Sequence, residues 1–482
     1  MNRPMGFGPA GPDDDDDGGG GDRGDGDRRD RDEQPGDGAN PFAALFGGAG
    51  DPEALAQALQ AAGAGPVDAA QVTAMMSQVQ RMLATPGDGG PVNWDLAIEI
   101  ARQVVSEHGD ASVSASEERA VAEALRLADT WLDDHTSLPA AGARALAWSR
   151  AEWVEGTRPV WRRLVEPVAE SVGNAMTEAM TQQAPPELAA QLGGPLGAML
   201  GGSAQQMMRQ VGGSVFGMQV GQAVGTLATE VVSGTEIGLP LVEAGSVVLL
   251  PAGVAAFGEG LDVPADEVRL YLALREAARS RLFAHVPWLA GWLLGAVEDY
   301  ARGITIDTSR IEAALREADP SDPAGLQQAL SSGLFEPERT PAQQAALDRL
   351  ETALALLEGW VEVVTDASAS ALPHASALRE TVRRRRAIGG PAEQTFSALV
   401  GLELRPRRMR DAAALWQVIE RSRGVEGRDG VWSHPDLMPT ADDLDDPMGY
   451  AERRADADAT SADVDAAIER LLSGEDASGD DA

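Results

Sequence analysis

The chain has 482 residues, 76 of them acidic against 39 basic, and a formal net charge of −37. Every basic residue is Arg; there is no Lys and no Cys. A disulfide framework, a thiolate metal site, a Cys nucleophile and all Lys-dependent chemistry are therefore excluded, and the acidity argues against a general nucleic-acid binder, which needs a positive field. Length sets a prior of two or three domains at ~150 residues each. Apolar content of 43% with 4% aromatics points to a core of Ala, Leu and Val. Ala and Leu favour helix, so the expected fold class is mainly α with a minor β element.

Residues 1–40 hold twelve acids and five Arg among Gly and Asp, with almost nothing to bury. They are expected to form a disordered acidic tail. No apolar stretch accompanies the run Asp13 to Asp17, so the start does not read as a signal peptide. Residues 41–91 read as a low-complexity helical region ending in a linker, Pro86 to Pro91. The main domain is placed at 92–440. Apolar stripes predict helices at Trp94 to Ser106, Ser116 to Trp131, Ala140 to Glu155 and Val160 to Gln183. Gly213, Gly217, Gly221 and Gly225 then recur every four residues, which leaves one helix face bare for another backbone to approach. A membrane dimer and a tightly packed soluble helix both fit this stripe; Gln219 and Gln222 favour the second.

Ser246 to Leu250 is the best strand candidate, and Pro251 to Pro264 reads as a Gly-rich loop. Helices follow at Asp266 to Leu282, Leu289 to Arg302, Ser309 to Ala318, Pro341 to Val364, Ser376 to Arg386, Glu393 to Leu404 and Asp411 to Arg421, with Pro287 as a stop or kink. Residues 441–482, with fourteen acids and three Arg, form a second acidic tail with a short helix at Val464 to Leu472. No clean run of ~18 apolar residues predicts a membrane-spanning helix. The expected location is the cytoplasm. A peptide or protein partner is left open; a nucleic acid or a membrane is not expected.

Two stretches stand out chemically. Arg275-Glu276-Ala277-Ala278-Arg279 has the frame of H-E-x-x-H with Arg at both His positions. In the intact motif two His on one helix face hold zinc and the Glu polarises the metal-bound water. Arg stays protonated and has no lone pair for a metal. Taken alone, the pattern reads as Arg and Glu on the solvated face of an amphipathic helix rather than as a metal site. The second stretch is basic: Arg383, Arg384, Arg385 and Arg386, then Arg405, Arg407, Arg408 and Arg410. It suits an anion site or internal pairing with acids such as Asp442 to Asp446. His108, His135, His374 and His434 are scattered, and no G-x-S-x-G elbow is present.

The segments Leu239 to Leu289, Arg383 to Trp416 and Val431 to Pro447 together resemble an actinobacterial family of zinc-dependent metalloproteases or hydrolases of zincin-like fold. A sister branch is linked to biosynthesis of a deazaflavin coenzyme. The resemblance covers roughly Val92 to Pro447. It implies a zincin-like helical domain, zinc as cofactor, Glu276 as general base, and Arg275 and Arg279 at degenerate ligand positions. Relatives often lack the first His and usually keep the second. His285 stands at the spacing of a third His, and Glu298 at that of an acidic third ligand. The function expected is therefore a zinc metallopeptidase-like hydrolase at the family level, of weak or no activity in this chain. The alternative is a non-catalytic pseudoenzyme that serves as a partner-binding or scaffold protein, with a guanidinium paired to Glu276 or Glu298 in place of the ion.

Overall fold

The computed structural model describes residues 90–183, 195–302, 340–387 and 408–450, with Thr395, Leu399, Glu452 and Arg453. The elements expected within 1–89, Ser309 to Ala318 and Val464 to Leu472, and nearly all of Glu393 to Leu404, lie outside the described residues. All described residues belong to one compact unit, Met76–Ala482.

In chain order the helices are α1 Trp94–Glu107, α2 Ala115–Leu132, α3 Arg150–Gln183, α4 Pro195–Glu230, α5 Pro251–Gly258, α6 Ala265–His285, α7 Pro287–Arg302, α8 Pro341–Ser368, α9 Ala375–Ala387, α10 Met409–Asp429 and α11 Ala441–Asp445. The strands are β1 Arg144–Ala147 and β2 Ser246–Leu249, paired in parallel from Arg144↔Ser246 to Ala147↔Leu249. The chain is thus mainly α with a small sheet, as the Ala- and Leu-rich composition predicts.

The starts of the helices follow local chemistry. Asn93 accepts from Leu96 N at the start of α1, and Ser114 with Glu117 forms a capping box on α2. Thr340 and Gln343 do the same for α8, with Pro341 in its first turn. The glycine stripe of α4 lies against α1. A Cβ on Gly217 or Gly221 would sit 2.5 Å from the carbonyl oxygen of Asn93 or Ala97. Backbone fills the bare face, which is the packed-helix reading of the stripe. Among the described residues no helix is long and apolar enough to cross a membrane.

Two expectations for local structure were overturned. Ala140 to Glu155 is not one helix: Gly142 turns the chain at φ 62 and β1 follows. α3 then starts at Arg150, where Ser149 and Glu152 exchange hydrogen bonds and Asp110 accepts from the N–H groups of Arg150 and Ala151. The Ala-rich stripe looked helical, but the pairing of Arg144 to Ala147 with β2 decides for strand. Pro251 to Pro264 is not all loop either. Pro251 provides the first turn of α5, a position that needs no N–H.

α6 lies at the centre. From Val268 to Leu282 all of its residues but Arg269 and Ser280 are buried, the mark of a helix enclosed by others. Asp266 and Glu267 stand in its first turn, where they complement the helix dipole. It ends at His285 because Pro287 disfavours helix at Val286. Arg281, fully buried, fastens α6 to the end of α2 through Asp129, Asp133 (2.8 Å) and the Leu138 carbonyl. α8 is fixed at the other side by Asp429, which accepts from Trp360 Nε1, Thr136 Oγ1, Ser137 N and Arg428 Nε. Leu444 and Tyr450 are buried, so the packed chain continues past the boundary expected at 440.

Candidate functional site

Arg275 and Arg279 are one turn apart on α6, so their side chains leave the same face. Both reach Glu358 on α8. Arg275 Nη2 donates to Glu358 Oε2 at 2.8 Å. Arg279 grips both oxygens, Nε to Oε1 at 2.8 Å and Nη2 to Oε2 at 3.1 Å. Arg386 from α9 adds a third guanidinium 3.1 Å from Oε2. All of this is internal: the side chains of Arg275, Arg279 and Glu358 are 4%, 3% and 1% exposed. Burial alone would push the Glu358 carboxyl up. Arg279, Arg386 and Arg275 outweigh it and hold it at about 2.

Glu276 occupies a different setting. It is fully buried. Oε2 accepts from Thr235 Oγ1 at 2.6 Å and lies 3.7 Å from Arg279 Nη1, close enough for an ion pair but not a hydrogen bond. Oε1 has no partner. Burial raises its carboxyl above the ordinary range, against the pull of Arg279 and of the nearby Thr235 and Ser233 hydroxyls. Thr235 comes from the segment after α4 that runs beside β2, where Gly234 N donates to Val248 O and Leu250 N to Val232 O. The strand therefore positions Glu276 through one hydroxyl.

His285 and Glu298 do not join this centre. His285 is exposed at the end of α6, with Nε2 3.5 Å from the Ala140 carbonyl. Glu298, on α7, pairs with Arg163 of α3. Among the described residues no group of three His, Cys, Asp or Glu is placed to hold a metal ion. The expected pairing of a guanidinium with Glu298 is replaced by pairing with Glu358, 82 positions beyond Glu276. The sequence signal for Glu358 was available: it and Glu362 are acids in the otherwise apolar run Leu354 to Val364 of a buried helix.

The basic stretch divides. Arg383 pairs with Glu362, and Arg384 is 71% exposed, 4.0 Å from Glu380. Arg385 donates to the Glu230 carbonyl at 2.8 Å and lies 3.9 Å from Glu236. Arg386 donates to the Glu236 carbonyl at 2.7 Å; burial, then Arg279 and Arg275, bring it down to about 10 against the pull of Glu358. Arg408 pairs with Asp445 and Asp411, which is internal pairing. Arg405 and Arg407 lie outside the described residues. A cavity of about 20 Å³ remains between α6 and α9, lined by Arg275, Arg279, Arg385, Arg386, Glu236 and Ser233 among others.

The model of the zincin-like metallopeptidase family matches residues 92–451, and the chain belongs to that family. A crystal structure from Chloroflexus aurantiacus, described provisionally as a hydrolase with a novel fold, is similar with a TM-score of 0.53 at 19% identity, over 76% of this chain and 99% of that one. That likeness shows the fold. No curated protein matches significantly.

The family implies zinc, and the residues present do not fit it. A catalytic zinc takes three protein ligands. The two His positions carry guanidinium groups that are already bonded to Glu358, and one oxygen of Glu276 is taken by Thr235.

Proposed function

We propose that this chain is a non-hydrolytic member of its family, a cytoplasmic protein that uses the scaffold to bind a peptide or protein partner. The observation that carries this reading is the engagement of both Arg275 and Arg279 by Glu358. A permanent, buried ion cluster occupies the place where the resemblance calls for two metal-binding His. It places fixed positive charge, paired to Glu358, at both positions without a Lewis acid, and Glu276 beside it is sealed from solvent. The actinobacterial kinship, with its deazaflavin-linked sister branch, belongs to the same reading and rests on the three long segments that carry the resemblance.

A hydrolase reading at the family level is the second one. The family match over residues 92–451 favours it, as does the orphaned oxygen of buried Glu276. Digestion of a mixed peptide substrate by the untagged full chain separates the two. No cleavage above a buffer control is expected. Cleavage that disappears in Glu276→Gln would overturn the proposal and assign Glu276 a catalytic role.

A further inference from the structure

The cavity between α6 and α9 has an unusual charge balance for so acidic a chain. Four guanidinium groups line it, Arg275, Arg279, Arg385 and Arg386, against one carboxylate, Glu236. Glu358 stands behind them and is shared by three of the four. Two of the arginines have capacity left. Arg275 gives Nη2 to Glu358, and Arg385 gives Nη2 to the Glu230 carbonyl. Their remaining guanidinium nitrogens have no hydrogen-bond acceptor among the described residues. Ser233, 2% exposed, also lines the cavity, and its hydroxyl has no partner although Glu276 is near. The buried, unpartnered Ser233 hydroxyl is the costly one, and an acceptor with several lone pairs in the cavity would bond it together with the open guanidinium nitrogens.

The structure assigns this cavity, we infer, as an oxyanion site that takes a carboxylate or phosphate group. Arg275, Arg385 and Ser233 are the donors, and Arg386 supplies further positive charge. Its volume of about 20 Å³ exceeds the ~10–15 Å³ needed for one water, so one oxygen of the group fits inside. The approach passes the α9 arginines, whose side chains are 35% and 17% exposed, against 4% and 3% for those of α6. Forked guanidinium donors suit a planar carboxylate and a phosphate alike. The inference goes beyond the functional reading above and does not depend on it, because an anion can occupy the cavity whether or not peptides are cleaved.

Titration calorimetry on the untagged full chain in low-chloride buffer tests this. The probes are inorganic phosphate, an N-acetylated dipeptide with a free C-terminal carboxylate, and the amide of the same dipeptide. Saturable binding of phosphate or of the peptide acid, but not of the amide, is expected. Phosphate alone would mark a phosphate ligand, and the acid alone a peptide C-terminus. Arg385→Ala, a partly exposed position, should weaken binding about tenfold or more. Arg384→Ala, next in sequence but outside the cavity, should leave it unchanged. No saturable binding by the natural chain overturns the inference. So does equal affinity in Arg385→Ala, or equal weakening in both variants. Peptide cleavage does not enter the assay, so its failure leaves the functional reading standing.

Discussion

Glu358 and Glu276 are buried carboxyls about one side chain apart in the network, yet their surroundings drive them in opposite directions. Glu358 faces three guanidinium groups and is held at about 2, below its ordinary 4.5. Folding therefore favours its ionised form. That contribution is complete above about pH 4.5 and is lost as pH falls toward 2. Glu358→Ala would strand two buried cations, Arg275 and Arg279, and leave the half-buried Arg386 without its acid; it should cost about 3–5 kcal/mol. Glu358→Gln should be less stable than the natural chain at pH 7, with a gap that narrows on acidification. Glu276 has the reverse sign. Its carboxyl is raised above 4.5 by burial, so the fold favours the neutral form and the contribution declines as pH rises above 4.5. Glu276→Gln, neutral at every pH, should gain stability relative to the natural chain as pH rises above 4.5. Urea denaturation of both variants across pH checks the two signs together, and parallel curves for the natural chain and both variants would contradict them.

At the scale of the element, the contact between α1 and α4 makes a prediction against helix propensity. In an exposed helix, Gly→Ala stabilises by about 1 kcal/mol. At Gly221 the new Cβ would meet the Ala97 carbonyl at 2.5 Å, so Gly221→Ala should instead destabilise by about 1–3 kcal/mol. Gly212, on the same helix, has nothing within 4 Å of a Cβ, and Gly212→Ala should be neutral or stabilising. Chemical denaturation of the pair reads the contrast directly. The stripe also shows what was legible in sequence. Period-four glycine and the apolar periods of α1, α2, α6 and α8 carry their structure locally, and their bounds come out within a few residues. β1 was not legible, because Arg144 to Ala147 becomes strand only through a partner a hundred residues away. The same limit explains the site. The R-E-x-x-R frame on α6 is local and visible. Glu358 reaches it only through the packing of α8, whereas the spacing rule pointed to Glu298, which packing sends to Arg163 instead.

For the whole molecule, the charge of −37 says less than its distribution. Roughly half of it falls in residues 1–40 and 441–482, counted from the sequence. Within the described residues, four arginines gather at one buried site. If that cluster substitutes for a metal, restoring ligands should couple folding to zinc. Arg275→His with Arg279→His leaves Glu358 paired to Arg386 alone, and should lose about 3–5 kcal/mol without metal. Two imidazoles facing Glu358 then form a ligand set, so zinc at a hundredfold over its Kd should return about 2.7 kcal/mol. Thermal unfolding with zinc and with EDTA measures this. The natural chain should show no such difference.

The central claim, that a guanidinium–carboxylate cluster stands where the family's zinc would be, is tested most directly by the zinc content of the untagged chain after purification. The account predicts far less than one zinc per chain, unchanged in Glu298→Ala and in Glu276→Gln. One zinc per chain, lost in either variant, would contradict it.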